Sequence, residues 1–126
     1  MDRLRIVRGD TNVYRIVVTI EDPDTGVVSP LDITGLKIWF TAKNKQTDSD
    51  VNAVIRKGSP GTTLNGVTIV DGPAGKADVE LLPADTSALP GMTWLYFDVQ
   101  ILEGVRVTTV NSGVAAVVSD TTKTIT

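Results

Sequence analysis

The chain has 126 residues, a length typical of one domain, and its 12 basic and 15 acidic side chains leave a net charge of −3. This balance argues against a nucleic-acid-binding protein, because such proteins carry a basic face. The chain contains no cysteine, which excludes disulfides and thiolate metal sites, and no histidine, which removes the commonest general base and transition-metal ligand.

Two further classes are disfavoured by the apolar pattern. No apolar run approaches the roughly 20 residues needed to cross a bilayer. The N-terminal sequence MDRLRIVRGD lacks the apolar stretch of a secretory signal. We therefore expect no membrane association and no cleaved leader.

Glycines and prolines divide the chain into short alternating segments that are rich in Val, Ile and Thr, which is typical of strands. The predicted strands are 3–8, 12–21, 36–43, 51–57, 67–70, 76–82, 93–102, 106–111 and 114–119. No long segment shows the 3.6-residue periodicity of a helix. The pattern predicts an all-β fold, an antiparallel β-sandwich of about seven to nine strands.

The first predicted strand is the most basic part of the chain, with Arg3, Arg5 and Arg8 in close succession. Three arginines suit a partner protein's acidic rim, or a solvated strand edge, better than a phosphate backbone. Arg3 and Arg5 are therefore candidate interface residues.

The segment 21–26, Glu-Asp-Pro-Asp-Thr-Gly, has oxygen-bearing side chains at alternate positions, as calcium loops do. It lacks the spaced ligands and closing glutamate of the full motif. Such a run between strands is more typical of a hairpin turn in which aspartate hydrogen-bonds the backbone. We favour the turn, with calcium binding by Asp22 and Asp24 left open, and interpret the acidic segment 48–50 as a solvated loop. No metal ion or cofactor is predicted.

Large aromatic residues fall on the polar faces of two predicted strands. Trp39 shares a face with two lysines and a threonine, and Trp94 and Tyr96 share a face with Asp98 and Gln100. If the two strands are neighbours in one sheet, the three rings form one exposed patch, larger than a monomer usually leaves bare. Two interpretations stay open: loops or lysine stems cover the rings, or a partner does.

The predicted core follows from the same alternation. Its residues are Tyr14, Ile16, Val18, Ile20, Leu36, Ile38, Phe40, Ala42, Ala77, Val79, Leu81, Leu95, Phe97, Val99 and Ile101.

Two connections and the C-terminal region complete the chain. Residues 83–89 begin with proline and predict one short helical turn near 84–89, and Glu103–Gly104 predicts a tight hairpin. The last predicted strand, which includes Val114 and Val118, is apolar on both faces. Either both faces are buried or one meets another subunit. We divide the chain into one domain, 1–119, and a Thr-rich tail, 120–126, suited to adding a strand to a neighbour.

Candidate catalytic groups are few. Asp78, Glu80 and Asp98 could in principle form the carboxylate pair of a glycosidase, but alternation predicts that they lie on solvated strand faces. Serine nucleophiles have no histidine to activate them. We therefore expect no enzymatic activity.

Several strings resemble one family over nearly the whole chain, from about Gly9 to Ser119. They are GDT at 9–11, PLDITGLKIWFTAK at 30–43, AVIRK at 53–57, the segment from GK at 75–76 to LLPADT at 81–86, and YFDVQI at 96–101. These strings are similar to the small β-sandwich domains of tailed-phage virion proteins, in particular the N-terminal domain of the siphophage baseplate upper protein. The resemblance implies an immunoglobulin-like sandwich that serves as an assembly module.

The resemblance sets the functional expectation. We expect a bacteriophage virion structural protein, a capsid decoration or a head, neck or tail accessory subunit, made and assembled in the host bacterial cytoplasm. A complete baseplate organiser is not expected, because no helical linker or receptor-binding segment follows the domain in this sequence. Expected partners are other virion proteins and copies of itself, with neither nucleic acid nor membrane. The alternative is a carbohydrate-binding module for host glycans, with Trp39, Trp94 and Tyr96 as a stacking platform.

Overall fold

A computed structural model describes residues 2–45, 47, 49, 53–87, 89 and 93–118. These residues form ten strands and one short helix. The elements are β1 (Asp2–Val7), β2 (Asn12–Val17), β3 (Thr19–Glu21), β4 (Val28–Pro30), β5 (Lys37–Lys43), β6 (Ile55–Gly58), β7 (Val67–Asp71), β8 (Lys76–Leu81), α1 (Pro83–Thr86), β9 (Thr93–Glu103) and β10 (Arg106–Val118). No helix in this part of the chain is long and apolar enough to span a membrane.

The strands form two main layers, which confirms the predicted all-β sandwich. One sheet has five strands in the order β1-β10-β9-β5-β6, the other has three in the order β2-β8-β7, and β3 and β4 form a separate hairpin. All pairings are antiparallel except that of β1 with β10. The two strand orders match the B-E-D and C′-C-F-G arrangements of immunoglobulin-like sandwiches, with β1 added beside the last strand.

The core lies between the two sheets and follows the predicted alternation. Inward residues of β5, β8 and β9, such as Phe40, Val79 and Val99, are completely buried. Tyr14 and Leu36 are partly buried and pack against this core. Ile20 was predicted to be buried, but it is 50% exposed, because the segment 12–21 is interrupted at Val18 and the following hairpin leaves the sandwich.

Three aromatic rings stabilise the centre of the core. Phe40 and Phe97 stack with ring centroids 5.6 Å apart, and the ring of Tyr14 meets both edge-on at 6.3 and 5.8 Å. The Tyr14 hydroxyl accepts a hydrogen bond of 2.9 Å from the Asn111 side chain. This bond connects the two sheets.

Other predicted boundaries shift for identifiable reasons. Residues 106–118 form one strand rather than two, because a bulge bends it without ending it. Alternation did not predict β4, which is only three residues long and fully exposed. The helical turn begins at Pro83, and Gly104 has a φ of +60° in the predicted hairpin turn. The predicted strand 51–57 corresponds to β6, which runs from Ile55 to Gly58. Residues 51 and 52 and the tail 120–126 lie outside the described residues.

Candidate docking surface

A β-bulge in β10 determines which residues face outward from the five-stranded sheet. Thr109 pairs with Gln100 and Asn111 pairs with Val99, so Val110 has no partner on β9. Because side chains alternate strictly along a strand, one extra residue reverses the alternation beyond it. Asn111 therefore points into the core, and Ser112 and every second residue after it point outward.

The strand order then brings three outward rows together. Arg3 of β1 lies beside Val114 of β10, which lies beside Tyr96 of β9. The next row is Arg5, Ala116 and Trp94, and the row after it pairs Val7 with Val118. We call these eight residues the docking face: Arg3, Arg5, Val7, Trp94, Tyr96, Val114, Ala116 and Val118.

The docking face is apolar in its middle and basic along one side. Trp94 is 55% and Tyr96 37% exposed, although both sit in the middle of a sheet. Val114, Ala116 and Val118 are half-buried, and Arg3 and Arg5 are exposed. Within the described residues neither arginine forms an ion pair. Two positive charges without a partner among the described residues therefore border the apolar strip, on a chain whose net charge is negative.

Six of the seven predicted interface residues lie on this face, and Trp39 does not. Strands β5 and β9 are neighbours, as the patch required, but Trp39 pairs with Gln100 rather than with the Trp94 end of β9. Six residues of strand separate Gln100 from Trp94, a distance of about 20 Å. Trp39 is also half-buried. A single patch of three rings is therefore wrong, and two rings and a valine strip replace it.

A polar groove adjoins the docking face. It has a volume of about 230 Å³, and its outward lining residues are Thr41, Lys43, Tyr96, Asp98, Thr109 and Ser112. Thr41, Asp98 and Ser112 form one cross-strand row beside Tyr96. Gly113 lies at the floor and contributes no side chain, so the groove reaches the backbone of the sheet. The ring of Tyr96 is shared by the groove and the docking face.

The acidic candidates of the sequence have ordinary structural roles. The Asp22 carboxylate accepts hydrogen bonds from the backbone N–H groups of Asp24 (2.8 Å) and Thr25 (3.4 Å), and the backbone N–H of Gly26 donates to the Asp22 carbonyl. This is the predicted hairpin turn, between β3 and β4. Among the described residues no group of three acidic side chains is placed to hold a metal ion. Asp48 and Asp50 lie outside them.

The three outward carboxylates are divided between the two sheets. Asp78 and Glu80 belong to the three-stranded sheet and Asp98 to the other, so the sandwich separates them. Asp78 forms an exposed ion pair with Arg15 on the neighbouring strand, and the hydrogen bond from Arg15 lowers the pKa of the Asp78 carboxyl below its usual value. This ion pair joins β2 and β8, two neighbouring strands of the three-stranded sheet.

Sequence reasoning missed Val7 and Ala116 on the docking face and Lys43 and Ser112 in the groove. Alternation along β1 and β5 places Val7 and Lys43 outward, and alternation beyond the bulge in β10 does the same for Ser112 and Ala116. The grouping of these residues required the strand order. No protein-family model matches the chain, and no curated protein matches its sequence.

Proposed function

We propose that this protein is a non-enzymatic bacteriophage virion component, a capsid decoration or a head, neck or tail accessory subunit that assembles through the docking face. The observation that carries this proposal is the strip of exposed Trp94 and Tyr96 and half-buried Val114 and Val118. Arg3 and Arg5 border this strip and form no ion pair with any other described residue. An apolar centre with a charged rim is the usual anatomy of a protein interface. The virion context is supported by the resemblance of the sequence strings to phage β-sandwich domains.

The dimensions of the face define its contribution. Three strands and five residues of β10 give a frame of about 10 by 13 Å, from the spacing of strands and the rise per residue. A stable interface covers about 800 Å² on each partner. The docking face is therefore the energetic centre of a larger contact, with tryptophan and tyrosine as its anchors.

The test uses particles of the phage that encodes the chain. We expect the wild-type protein in purified virions, and we expect Trp94→Ala with Tyr96→Ala to reduce its occupancy at least about tenfold, because buried aromatic anchors contribute 2 kcal/mol or more each. Quantitative mass spectrometry of the particles measures both occupancy and copy number. Hundreds of copies indicate decoration, and six or twelve indicate the neck or tail.

The control is Trp39→Ala, which removes the tryptophan on the same sheet about 20 Å away. It leaves occupancy unchanged if the docking face is correctly placed. Urea unfolding of the isolated variants checks that each is folded. Wild-type occupancy of a folded Trp94→Ala/Tyr96→Ala variant would overturn the proposal, as would absence of the protein from virions.

The polar groove favours a second candidate function, binding of a host glycan. An aromatic ring beside hydroxyl, carboxylate and ammonium groups is suited to a sugar, whose ring stacks on an apolar surface and whose hydroxyls need hydrogen-bond partners. In this form Tyr96 is the platform, and Trp39 and Trp94 are not. Loss of glycan-array binding in Asp98→Ala, with unchanged virion occupancy, would favour this function over the first.

A further inference from the structure

At two residues of β1, the backbone groups on the outer edge of the sheet have no partner within the part of the chain that the structure describes. β1 is an edge strand, and it pairs with β10 on one side only. The N–H of Arg8 donates to the carbonyl of Val118, so even-numbered residues direct their backbone groups toward β10. Odd-numbered residues direct theirs away from the sheet, because successive residues of a strand alternate sides.

At one of these odd-numbered residues, Val7, a side chain of the same protein hydrogen-bonds to both backbone groups. The Val7 N–H donates to the Asn12 side-chain oxygen (3.2 Å), and the Asn12 amide donates to the Val7 carbonyl (3.1 Å). The Asn12 side chain thus replaces a neighbouring strand at Val7. No such partner is present among the described residues for Arg3 or Arg5, so one N–H and one C=O at each position remain open.

A cavity opens between the sheets at the same edge. Its volume is about 110 Å³, and it is lined mainly by apolar residues, with two polar ones: Leu4, Ile6, Val13, Tyr14 and Leu81, together with Arg5 and Asn12. An apolar cavity of about 150 Å³ can hold benzene, so this one is suited to a single branched aliphatic side chain. Leu4 stands between Arg3 and Arg5 in sequence, and its side chain points inward while theirs point outward.

These features define the pattern of a strand that would pair with β1. A residue opposite Leu4 would direct its side chain into the cavity, and the residues before and after it would lie outward beside Arg3 and Arg5. An apolar side chain fits the position opposite Leu4, and a carboxylate fits each of the positions beside Arg3 and Arg5. Val7, already closed by Asn12, sets the end of the pairing.

We propose that the β1 edge is a strand-addition site for an extended acid–aliphatic–acid segment of a partner protein. The added strand would pair with the backbone of Arg3 and Arg5 and place its aliphatic side chain in the Leu4–Tyr14 cavity. This inference rests on the proposed assembly function and names the chemistry of the partner.

A copy of the same chain does not supply the segment. The sequence contains one acid–aliphatic–acid triplet, Asp78-Val79-Glu80. It lies in β8, which is paired on both sides, and Val79 is completely buried. The residues after β10, SDTTKTIT, include a lysine and a single aspartate. The partner is therefore a different protein.

Amide hydrogen exchange of the full chain tests the open edge without a ligand. We expect the amides of Leu4 and Ile6 to be protected and those of Arg3 and Arg5 to exchange at least about tenfold faster, because only the first pair bonds to β10. Equal protection of all four amides would show that the edge is already covered and would overturn the proposal.

A synthetic peptide tests the recognition pattern. The probe is acetyl-Thr-Thr-Asp-Leu-Asp-Thr-Thr-amide, titrated into the isotope-labelled chain and followed by NMR, with Asn-Leu-Asn and Asp-Ser-Asp peptides as controls. We expect saturable shifts at β1 and slower exchange of the Arg3 and Arg5 amides. We expect Arg3→Glu with Arg5→Glu to weaken binding at least about tenfold, because each reversal places like charges side by side. Arg56→Glu, an exposed arginine on β6 at the opposite edge, should not.

Several results would overturn the inference. They are no saturation at millimolar peptide, equal binding of the control peptides, insensitivity to the arginine reversals, or shifts centred on β2 instead of β1.

Trp94→Ala leaves peptide binding unchanged, since that ring lies on the sheet face two strands away. If the protein does not bind the peptide but needs Trp94 for virion occupancy, the strand-addition proposal is wrong and the proposed function stands. If the protein binds the peptide but is absent from virions, the proposed function is wrong and the strand-addition site stands.

Discussion

Lys57 shows how a charged residue can belong to the interior of this protein. Its side chain is only 7% exposed, and its Nζ lies 2.6 Å from the Asp85 carboxylate in the first turn of α1. The same carboxylate accepts the Leu82 N–H at 2.7 Å. One aspartate thus neutralises a buried ammonium and satisfies an N-terminal N–H group of the helix.

We expect Asp85→Ala to lower the free energy of unfolding by about 3–5 kcal/mol, because it leaves the Lys57 ammonium buried without a partner. Lys57→Met should cost little, because Asp85 is accessible to water and methionine preserves the packing. The double variant should recover most of the loss. Urea unfolding of the four proteins measures these changes, and a double variant as unstable as Asp85→Ala would contradict this role of Lys57.

Gly75 is required for a different reason, the close approach of two backbones. It has a φ of +70°, and an added Cβ would overlap the Val18 carbonyl oxygen and lie 2.8 Å from that of Leu31. At this point the Val18 N–H donates to the Gly75 carbonyl (2.8 Å), and the Leu31 N–H donates to that of Val18 (3.0 Å). These contacts attach the β3–β4 hairpin to the sandwich.

We expect Gly75→Ala to cost about 2–5 kcal/mol, the sum of a left-handed backbone and an overlap with rigid carbonyls. Gly9→Ala is the matched control, because Gly9 has a φ of +82° but nothing within 4 Å of an added Cβ. It should cost only the backbone term, about 1–2 kcal/mol. Thermal or urea unfolding compares the two, and equal losses would mean that the close approach does not matter.

At the scale of elements, the bulge in β10 controls both faces of the five-stranded sheet. It directs Asn111 inward to Tyr14 and sends Val114, Ala116 and Val118 outward. The residue that it leaves unpaired, Val110, packs against the core. The bulge therefore lets two consecutive residues, Val110 and Asn111, both face the core.

We expect deletion of Val110 to cost about 2–3 kcal/mol, because it removes a packed valine, while Thr109 and Asn111 keep their partners Gln100 and Val99 and the faces of the other residues are unchanged. Val110→Ala keeps the residue count and the bulge, and should cost about 1 kcal/mol. Urea unfolding distinguishes the two variants. A deletion variant that fails to fold would contradict this expectation, because it would show that Thr109 and Asn111 cannot pair with consecutive residues of β9.

At the scale of the whole molecule, β1 connects the two proposed contacts. Its outward side chains border the docking face, and its free backbone edge and inward Leu4 form the strand-addition site. A partner that covered both would pair with the sheet edge and continue across its face. This would extend the buried area beyond the small frame of the apolar strip toward that of a stable interface.

Local pattern was sufficient for much of this architecture. Period-two alternation identified the inward residues of β5, β8 and β9, since a side chain's face depends only on its position along the strand. Proline and glycine marked the turn at 83–86 and the hairpin at Gly104, because their backbone preferences are intrinsic. The prediction was wrong at Ile20, where alternation continued in sequence after the strand had ended in space.

The sequence by itself determined most of the strands, most of the core and the presence of outward aromatic residues. Only the tertiary structure decided which of those residues meet. It placed Trp94 and Tyr96 beside Val114 and Arg3, and moved Trp39 to the other end of the sheet. Strand order and register depend on pairings between residues up to about a hundred positions apart, such as Arg3 with Val114, and no local pattern encodes them.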